Sequence, residues 1–169
     1  MSARDTASAA EPTPTPFARE MIVKPEWIDP NGHMNIAHYV VAFDLASDDF
    51  CEHVGVGWNA MRETGNSTFV LGMNLDYRRE LFEGDPLRIT TQLLDWDPKR
   101  LHIFHQMHHA TRGFLAATNE VLFAHVCLTR RRSVPLPEAA QAALARVASA
   151  HASLGVPEGA FRRLEIRRR

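Results

Sequence analysis

The chain has 169 residues, 45% of them hydrophobic and 23% charged, which is a globular composition at a length that suits one domain with its own core. Nineteen basic and 20 acidic side chains give a formal net charge of −1, without the basic excess that is typical of nucleic-acid-binding domains. No stretch approaches the roughly 20 apolar residues that cross a bilayer, and the N-terminus lacks the features of a secretory signal. We therefore predict a soluble, cytoplasmic protein that binds neither nucleic acid nor membrane.

The two ends of the chain differ in composition from its middle. Residues 1–16 are rich in Ala, Pro, Thr and Ser and have no apolar period, so we predict a disordered tail. The folded domain is predicted to span residues 17–135, and residues 136–169 to form a C-terminal helix and a basic tail. The tail ends in a basic tip made of Arg162, Arg163, Arg167, Arg168 and Arg169. This tip is expected either to be simply solvated or to help attract anionic ligands.

The first half of the domain is predicted to be a strand, a tight turn and a long helix. The strand covers about residues 18–25, and Asp29-Pro30-Asn31-Gly32 is strong turn punctuation. Asn35 stands where an N-cap is expected, ahead of a helix over residues 36–54. That helix is apolar on most sides, with a narrow polar side of Asp44, Ser47 and Asp48, so we expect other elements to enclose it.

The second half is predicted to be mainly antiparallel sheet. After a helical turn at residues 58–65, four strand patterns follow at residues 69–77, 87–96, 101–109 and 114–130, and an Ala-rich helix at residues 138–149 is expected to pack on the sheet edge. Short turns between the strands favour antiparallel neighbours. The pattern predicts an α+β protein in which a curved sheet wraps around one helix. Cys51 and Cys127 lie in apolar stretches and are interpreted as buried free thiols rather than a disulfide.

One segment of the sequence resembles a known family. Residues 27–35, read as Trp-Ile-Asp-Pro-Asn-Gly-His-Met-Asn, together with Tyr39, resemble the signature of the hotdog-fold thioesterases. The segment is similar to the 4-hydroxybenzoyl-CoA thioesterase group and to the Asp-x-Asn-x-His pattern of plant acyl-ACP thioesterases. The similarity covers about residues 18–135, and the loop with the Lys-Arg-Leu-His strand start also resembles the betainyl-CoA thioesterases associated with carnitine dehydrogenase. The resemblance implies a hotdog fold, acyl-CoA hydrolysis and a homodimer that shares its sites, with coenzyme A as part of the substrate and no separate cofactor.

The resemblance places the chemistry at the turn before the long helix. A carboxylate such as Asp29 can act as a general base on water or attack the thioester directly, and the sequence leaves both routes open. Amides at the helix start, from about His33 to Asn35, have no partner within the helix and suit a developing oxyanion. The resemblance implies that Asn31 and His33 orient the substrate carbonyl or the water, and His33 is also a candidate for acid–base work.

Several residues are expected to bind the substrate without reacting. Gly32 allows the chain to approach it closely, and Met34 and Asn35 flank the same point, although Asn35 is expected chiefly as an N-cap. Thr68 is a candidate that faces the site from a partner subunit. Lys99 and Arg100, at the turn between two strands, are expected to bind the phosphates of CoA. Weaker candidates for the phosphates are Arg78, Arg79, Arg130, Arg131 and Arg132.

Two other sets of residues, four histidines and four aromatic residues, suggest a metal site and a cation-binding cage, but the sequence favours neither. His102 and His108 are expected on one face of a strand and His105 and His109 on the other, so no metal site is predicted. A cage for a trimethylammonium group is a weaker alternative to core packing for Trp58, Trp96, Tyr39 and Tyr77. The absence of a Gly-x-Ser-x-Gly elbow disfavours a serine hydrolase.

Three functions compete at this stage. Hydrolysis of an acyl-CoA with Asp29 at its centre is preferred, with betainyl-CoA as the specific substrate. A non-catalytic acyl-CoA-binding or sensing domain is the alternative, and a carboxylate beside the thioester speaks against it. A hydratase on the same fold fits less well, because its acidic and histidine residues occur in a different loop pattern.

Overall fold

The computed structural model describes residues 17–161. The predicted disordered tail at residues 1–16 and the basic tip at residues 162–169 lie outside this range. Within it, no helix combines the length and the apolar character needed to cross a membrane. The cytoplasmic location stays a prediction.

The described residues form three α-helices and a six-stranded sheet. In chain order the elements are β1 (Phe17–Ile22), α1 (Ile36–His53), α2 (Trp58–Thr64), β2 (Asn66–Tyr77), β3 (Pro86–Asp97), β4 (Arg100–His109), β5 (Leu115–Cys127), β6 (Arg132–Ser133) and α3 (Glu138–His151), with short 3₁₀ turns at Pro25–Trp27 and Ala152–Leu154. The predicted elements are present with end points shifted by up to three residues. The two-residue strand β6 was not predicted.

The sheet is antiparallel throughout, and its main strands lie in the order β1, β3, β4, β5, β2. β6 pairs with the end of β5. The hairpin between β3 and β4 is tight because Asp97 accepts a hydrogen bond from the Lys99 amide at 2.9 Å, an arrangement that closes a turn without help from other elements. α1 packs against β1 and β3. This is the curved sheet around a long helix that the pattern predicts, and it is the hotdog architecture.

Two apolar clusters fill the space between α1 and the sheet. One surrounds the first half of the helix and includes Tyr39, Phe43 and Met107, and the other surrounds its second half and includes Phe50 and Phe123. Burial of such side chains contributes about 1.5–3 kcal/mol each relative to exposure, so the helix is held mainly by packing. Both predicted cysteines are buried and free.

α3 covers the part of β3 that β1 leaves unpaired. Among the residues from 17 onwards that the structure describes, β1 pairs with residues 86–91 of β3. Further along, the Leu93 amide donates a hydrogen bond to Nδ1 of His151 at the end of α3, at 3.0 Å. The His151 side chain thus accepts the hydrogen bond that a neighbouring strand would otherwise accept from the Leu93 amide. The predicted packing of this helix on a sheet edge is confirmed.

The expectation that α1 is enclosed on most sides is wrong for the single chain. Its buried residues form one face, whereas Ile36 is 62% and Val41 42% exposed. The neighbouring edge strand β2 was predicted to be half-buried, yet Phe69, Leu71 and Met73 are exposed by 37%, 58% and 40%. A bulge between Val70 and Gly72 shifts the strand register there. The apolar pattern is therefore real, but the described residues of one chain do not cover it.

Candidate active site

Asp29 lies in a turn that the backbone itself closes. The Gly32 amide donates to the Asp29 carbonyl at 2.9 Å, and the Asp29 amide donates to the His33 carbonyl at 3.1 Å. Ile28 and Met34 face each other on either side as an antiparallel bridge. Gly32 has a φ of +84°, in the left-handed region where a side chain is strained. The carboxylate of Asp29 is therefore carried on a fixed loop at the start of α1.

The Asp29 side chain has a hydrogen-bond donor on each oxygen. The Asn31 amide donates to Oδ1 at 2.8 Å, and Nδ2 of Asn35 donates to Oδ2 at 3.4 Å. The other atom of the Asn35 amide group, Oδ1, accepts from the Ala37 amide at 2.9 Å, which confirms the predicted N-cap. Asp29 is half-buried. One asparagine thus joins the helix start to the carboxylate.

The amides from His33 to Asn35 have no partner within the helix, as predicted, but two of them are not available to an oxyanion. The Met34 amide donates to the Leu81 carbonyl at 2.7 Å, and the Asn35 amide donates to the Trp27 carbonyl at 2.9 Å. Long-range backbone partners of this kind leave no trace in local sequence. Within residues 17–161 the amide of Ile36, the first residue of the helix, has no acceptor. Because Ile36 is exposed, the partial positive charge of the helix terminus is accessible there.

The predicted side chains of Asn31 and His33 flank the carboxylate without hydrogen-bonding to it in the part of the chain described. Asn31 is exposed and contacts Asp29 through its backbone amide. His33 is half-buried, with Nδ1 3.3 Å from the Met34 carbonyl oxygen. Neither side chain therefore holds the Asp29 carboxylate in place.

The end of β2 lies beside the start of α1. The Tyr77 hydroxyl donates to the Ile36 carbonyl at 3.2 Å, and its ring meets that of Tyr39 edge-on with centroids 5.2 Å apart. Burial raises the pKa of Tyr39 to about 12, which keeps it a neutral phenol. Trp58 and Trp96 are not part of this pair, because Trp58 begins α2 and Trp96 packs in the second apolar cluster. The four aromatic residues therefore do not form one cage in a single chain.

A cavity of about 170 Å³ lies at the far end of α1. Its lining includes Asp44, Ser47, Asp48, Cys51, Trp58 and Thr68. Oγ1 of Thr68 is 3.9 Å from Sγ of Cys51, and burial raises the pKa of that thiol to about 12. Cys51 stands 15 residues beyond Ile36, which is about 22 Å along a helix. Thr68 is therefore remote from Asp29 of its own chain, and its predicted role depends on a second subunit.

A basic groove lies at the same end of the molecule. It has a volume of about 590 Å³ and its lining includes Lys99, Arg130 and Arg132 but no acidic residue. The neighbouring Arg100 is held instead by Asp97, with Nε at 2.9 Å and Nη2 at 2.5 Å from the same carboxylate oxygen. Lys99 is thus the predicted phosphate ligand with an available charge. Arg130, from the β5–β6 connection, and Arg132, from β6, join it and are two of the weaker candidates that the sequence offers.

The histidines of β4 have separate partners. His105 is buried between Oγ of Ser47 and Oγ1 of Thr91, each at 2.9 Å, and burial lowers its pKa to about 3. His102 faces Glu120, with Nε2 2.8 Å from the carboxylate, so these two histidines point to opposite faces as predicted. Among the residues that the structure describes, no group of three or more His, Cys, Asp or Glu side chains could hold a metal ion.

Comparison with known proteins gives a consistent result. Residues 23–144 match the model of the thioesterase-like superfamily. The chain is 38% identical to the betainyl-CoA thioesterase of Pseudomonas aeruginosa, over 85% of this chain and 90% of that protein. It is 36% identical, over 86% of its length, to the L-carnitine dehydrogenase/betainyl-CoA thioesterase of Rhizobium meliloti, of which it covers only 29%. Among solved structures, a Staphylococcus aureus protein characterised in complex with CoA has 29% identity and a TM-score of 0.81, covering 90% of this chain and 96% of that one.

Proposed function

The chain belongs to the thioesterase-like superfamily, whose hotdog fold it shares, and we propose that it hydrolyses betainyl-CoA to the free acid and CoA with Asp29 as the reacting carboxylate. Acyl-CoA thioesterase activity is what the family and the named relatives support. The single observation that carries the role of Asp29 is its position, half-buried beside the unpaired Ile36 amide at the start of α1.

The geometry supports separate roles for the helix terminus and for the Asp29 carboxylate. The thioester carbonyl accepts a hydrogen bond from the Ile36 amide, which stabilises negative charge as the tetrahedral intermediate forms. In one route Asp29 removes a proton from the attacking water, and that proton goes to the CoA thiolate as it leaves. In the other route Asp29 attacks the carbonyl carbon and displaces the thiolate, which takes its proton from solvent, and water then hydrolyses the mixed anhydride to the free acid and the regenerated carboxylate. Asn35 keeps the carboxylate beside the helix terminus through its bond to Oδ2. Asn31 and His33 orient the carbonyl or the water from the exposed side.

The phosphates of CoA are proposed to bind in the basic groove. Lys99, Arg130 and Arg132 supply three positive charges with no carboxylate among the lining residues. Arg100 contributes less than predicted, because its guanidinium is already paired with Asp97. Phosphate binding by such side chains is strong because the hydrogen bonds are charge-assisted.

A homodimer is proposed through the β2 edge. The strand is 12 residues long, whereas edge strands are usually short or protected, and Leu71 and Met73 stand exposed on it. Pairing with a second copy would bury these side chains and extend the sheet across both subunits. An antiparallel pair centred on the strand brings Tyr77 of each chain next to Asn66 of the other. Since Tyr77 marks the helix start, the Asp29 turn of one subunit then lies near the basic groove of its partner.

The test is release of free thiol from a panel of acyl-CoAs, including betainyl-CoA, by the wild type and by Asp29→Asn. General acid–base catalysis contributes about 10²–10⁴-fold to rate, so we expect a loss of that order in kcat. Glu26→Gln, which removes a nearby exposed carboxylate, is the matched control and is expected to retain activity. Turnover that survives in Asp29→Asn would refute the role of Asp29. No turnover by the wild type, with CoA thioesters still bound, would indicate a binding domain.

A single-turnover reaction in isotopically labelled water tests the nucleophilic role of Asp29, because label enters the Asp29 carboxylate only from an anhydride opened at its own carbon. If the carboxylate activates water, the acid from the first turnover carries the label. If the carboxylate attacks and its anhydride is opened at the Asp29 carbon, the first product carries an unlabelled enzyme oxygen and the label appears in the protein.

A further inference from the structure

The cavity at the far end of α1 combines acidic and aromatic groups. Asp44 and Asp48 enter it from the helix, and Trp58, with 49% of its surface exposed, borders it from the start of α2. Ser67 and Thr68 of β2 complete its polar side, and no lysine or arginine is among the lining residues. The cavity therefore has a charge opposite to that of the basic groove.

The two carboxylates have no cationic partner in the described part of the chain. Neither Asp44 nor Asp48 makes an ion pair there, although Asp49, one residue further, is bound by Arg19. Burial raises the pKa of Asp44, and the negative charge of Asp48 raises it further. Two like charges held together on one side of a helix cost free energy unless a positive group lies between them. A cation is thus the ligand that this arrangement favours.

The aromatic ring and the size of the cavity narrow the choice of cation. An exposed indole face attracts cations, most of all those that are poorly hydrated, such as quaternary ammonium groups. A volume of about 170 Å³ equals that of about six liquid waters at roughly 30 Å³ each. That suits the five heavy atoms of a trimethylammonium group with its adjoining methylene.

We propose that this cavity binds the quaternary ammonium group of the acyl part, with Asp44, Asp48 and Trp58 as the residues that determine specificity. The proposal rests on the thioesterase function proposed above, and it identifies the site that selects the acyl group. No bond is made or broken in the cavity. Its contribution is to favour a cationic acyl chain over a neutral one of the same shape.

The cavity serves the Asp29 of a second copy of the chain rather than its own. Asp44 and Asp48 stand eight and 12 residues beyond Ile36, which is about 12 and 18 Å along the helix. In a betainyl group the nitrogen and the carbonyl carbon are only about 2.5 Å apart, by ordinary N–C–C geometry. Antiparallel pairing of the β2 edges closes this gap, because the Tyr77 end of one strand lies opposite the Ser67–Thr68 end of the other. The Tyr77–Ile36 hydrogen bond then brings the partner's helix start to the cavity mouth.

The first experiment compares betainyl-CoA with tert-butylacetyl-CoA, in which a carbon replaces the nitrogen. We expect the wild type to prefer the cationic substrate, and the double variant D44N/D48N to lose about tenfold or more in kcat/KM on it, which corresponds to 1.4 kcal/mol. Hydrolysis of the neutral analogue should change by less than about twofold, since a neutral group gains little from the carboxylates. Glu63→Gln, on the neighbouring helix but outside the cavity lining, controls for loss of a nearby negative charge. Titration with glycine betaine provides a readout without turnover, and its binding should weaken in the double variant.

The outcomes separate this proposal from the function on which it rests. Equal hydrolysis of both substrates by the wild type, or an equal loss on both in D44N/D48N, would overturn the ammonium site and leave the thioesterase function intact. No hydrolysis of any thioester, together with no binding of glycine betaine, would overturn both. Thermal unfolding of each variant identifies a loss that comes from misfolding, in which case the single variants D44N and D48N take the place of the pair.

Subunit complementation tests the placement across two chains. Asp29→Asn chains co-expressed with D44N/D48N chains form mixed dimers in which one site keeps both an intact Asp29 and an intact cavity. Recovery of about half the wild-type activity on betainyl-CoA is expected in the purified mixed dimer, because one site of two is complete. Absence of recovery would place cavity and carboxylate in one chain and overturn the shared arrangement.

Discussion

His105 makes the stability of this protein depend on pH in a window that can be calculated. Its imidazole is fully buried beside the Phe43 ring, between Ser47 and Thr91. The Ser47 hydroxyl donates to the Phe43 carbonyl at 3.0 Å, so it accepts from Nε2 of His105, and Nδ1 accepts from the Thr91 hydroxyl. Both ring nitrogens are thus satisfied in the neutral form. A second proton would have to replace an accepted hydrogen bond inside an apolar core.

The sign follows from the lowered pKa, about 3 in the folded chain against 6.5 in the unfolded one. The unfolded chain binds this proton first, so stability is complete above pH 6.5 and is lost as the pH falls towards 3. At about pH 4.5, two units below the unfolded value, the loss is about 2.7 kcal/mol at 1.36 kcal/mol per unit. Such a loss is a large fraction of the roughly 5–15 kcal/mol that stabilises a domain.

Urea unfolding at pH 7 and pH 4.5 measures this loss when the wild type is compared with His105→Gln. The variant has no titrating ring, so the difference between its two free energies of unfolding should be smaller than that of the wild type by about 2–3 kcal/mol. His53→Gln, which removes an exposed histidine at the end of α1, is the matched control and should keep the wild-type difference. An unchanged pH dependence in His105→Gln would refute the assignment of a neutral buried imidazole.

Three other predictions follow from the site. Asn35→Ala should destabilise the protein by about 1 kcal/mol through the lost cap, whereas Asn35→Ser keeps a capping oxygen but loses the donor to Asp29 and should be nearly as stable as the wild type; both should lower kcat, and full activity in Asn35→Ala would deny it a role beside Asp29. Lys99→Ala should raise KM for acyl-CoA by about fivefold or more with little change in kcat, the loss of one charge-assisted contact, and Arg100→Ala should raise it less; the reverse order would contradict the assignment. Leu71→Lys places a charge on the β2 edge and should give monomers of low activity by light scattering and thiol assay, while an active monomer would exclude a shared site.

Much of the fold was predictable because local signals and tertiary structure agree. Asn35 is read as an N-cap from the sequence, and the structure has its side chain on the Ala37 amide. The Asp97-Pro98 turn and the Gly84-Asp85-Pro86 turn separate strands whose ends they predict within a few residues. Turn chemistry and capping act over two to four residues, which is the range over which a sequence pattern is informative.

The parts that were missed depend on residues far apart in the chain. The Met34 and Asn35 amides donate to the carbonyls of Leu81 and Trp27. The sequence rules for helix starts do not predict such tertiary hydrogen bonds. The acidic cavity was also missed, although its signal was present as Asp44, Ser47 and Asp48 on the narrow polar side of an apolar helix. Polar residues at this spacing share one face, but whether that face meets solvent or a cavity depends on β2.

The exposed apolar surface and the separated functional groups have one explanation in common. α1 and β2 carry the pattern of buried elements, yet Ile36, Val41 and Leu71 are exposed in one chain. The carboxylate and the helix terminus lie at one end of α1, and the basic groove and acidic cavity lie towards the other, about 12 Å or more away. A second copy paired on the β2 edge would cover the exposed apolar surface. The same pairing would bring the carboxylate of one chain to the groove and cavity of the other. Because both consequences require the same interface, a change that keeps the fold but breaks that edge should abolish hydrolysis of every acyl-CoA, whatever its acyl group.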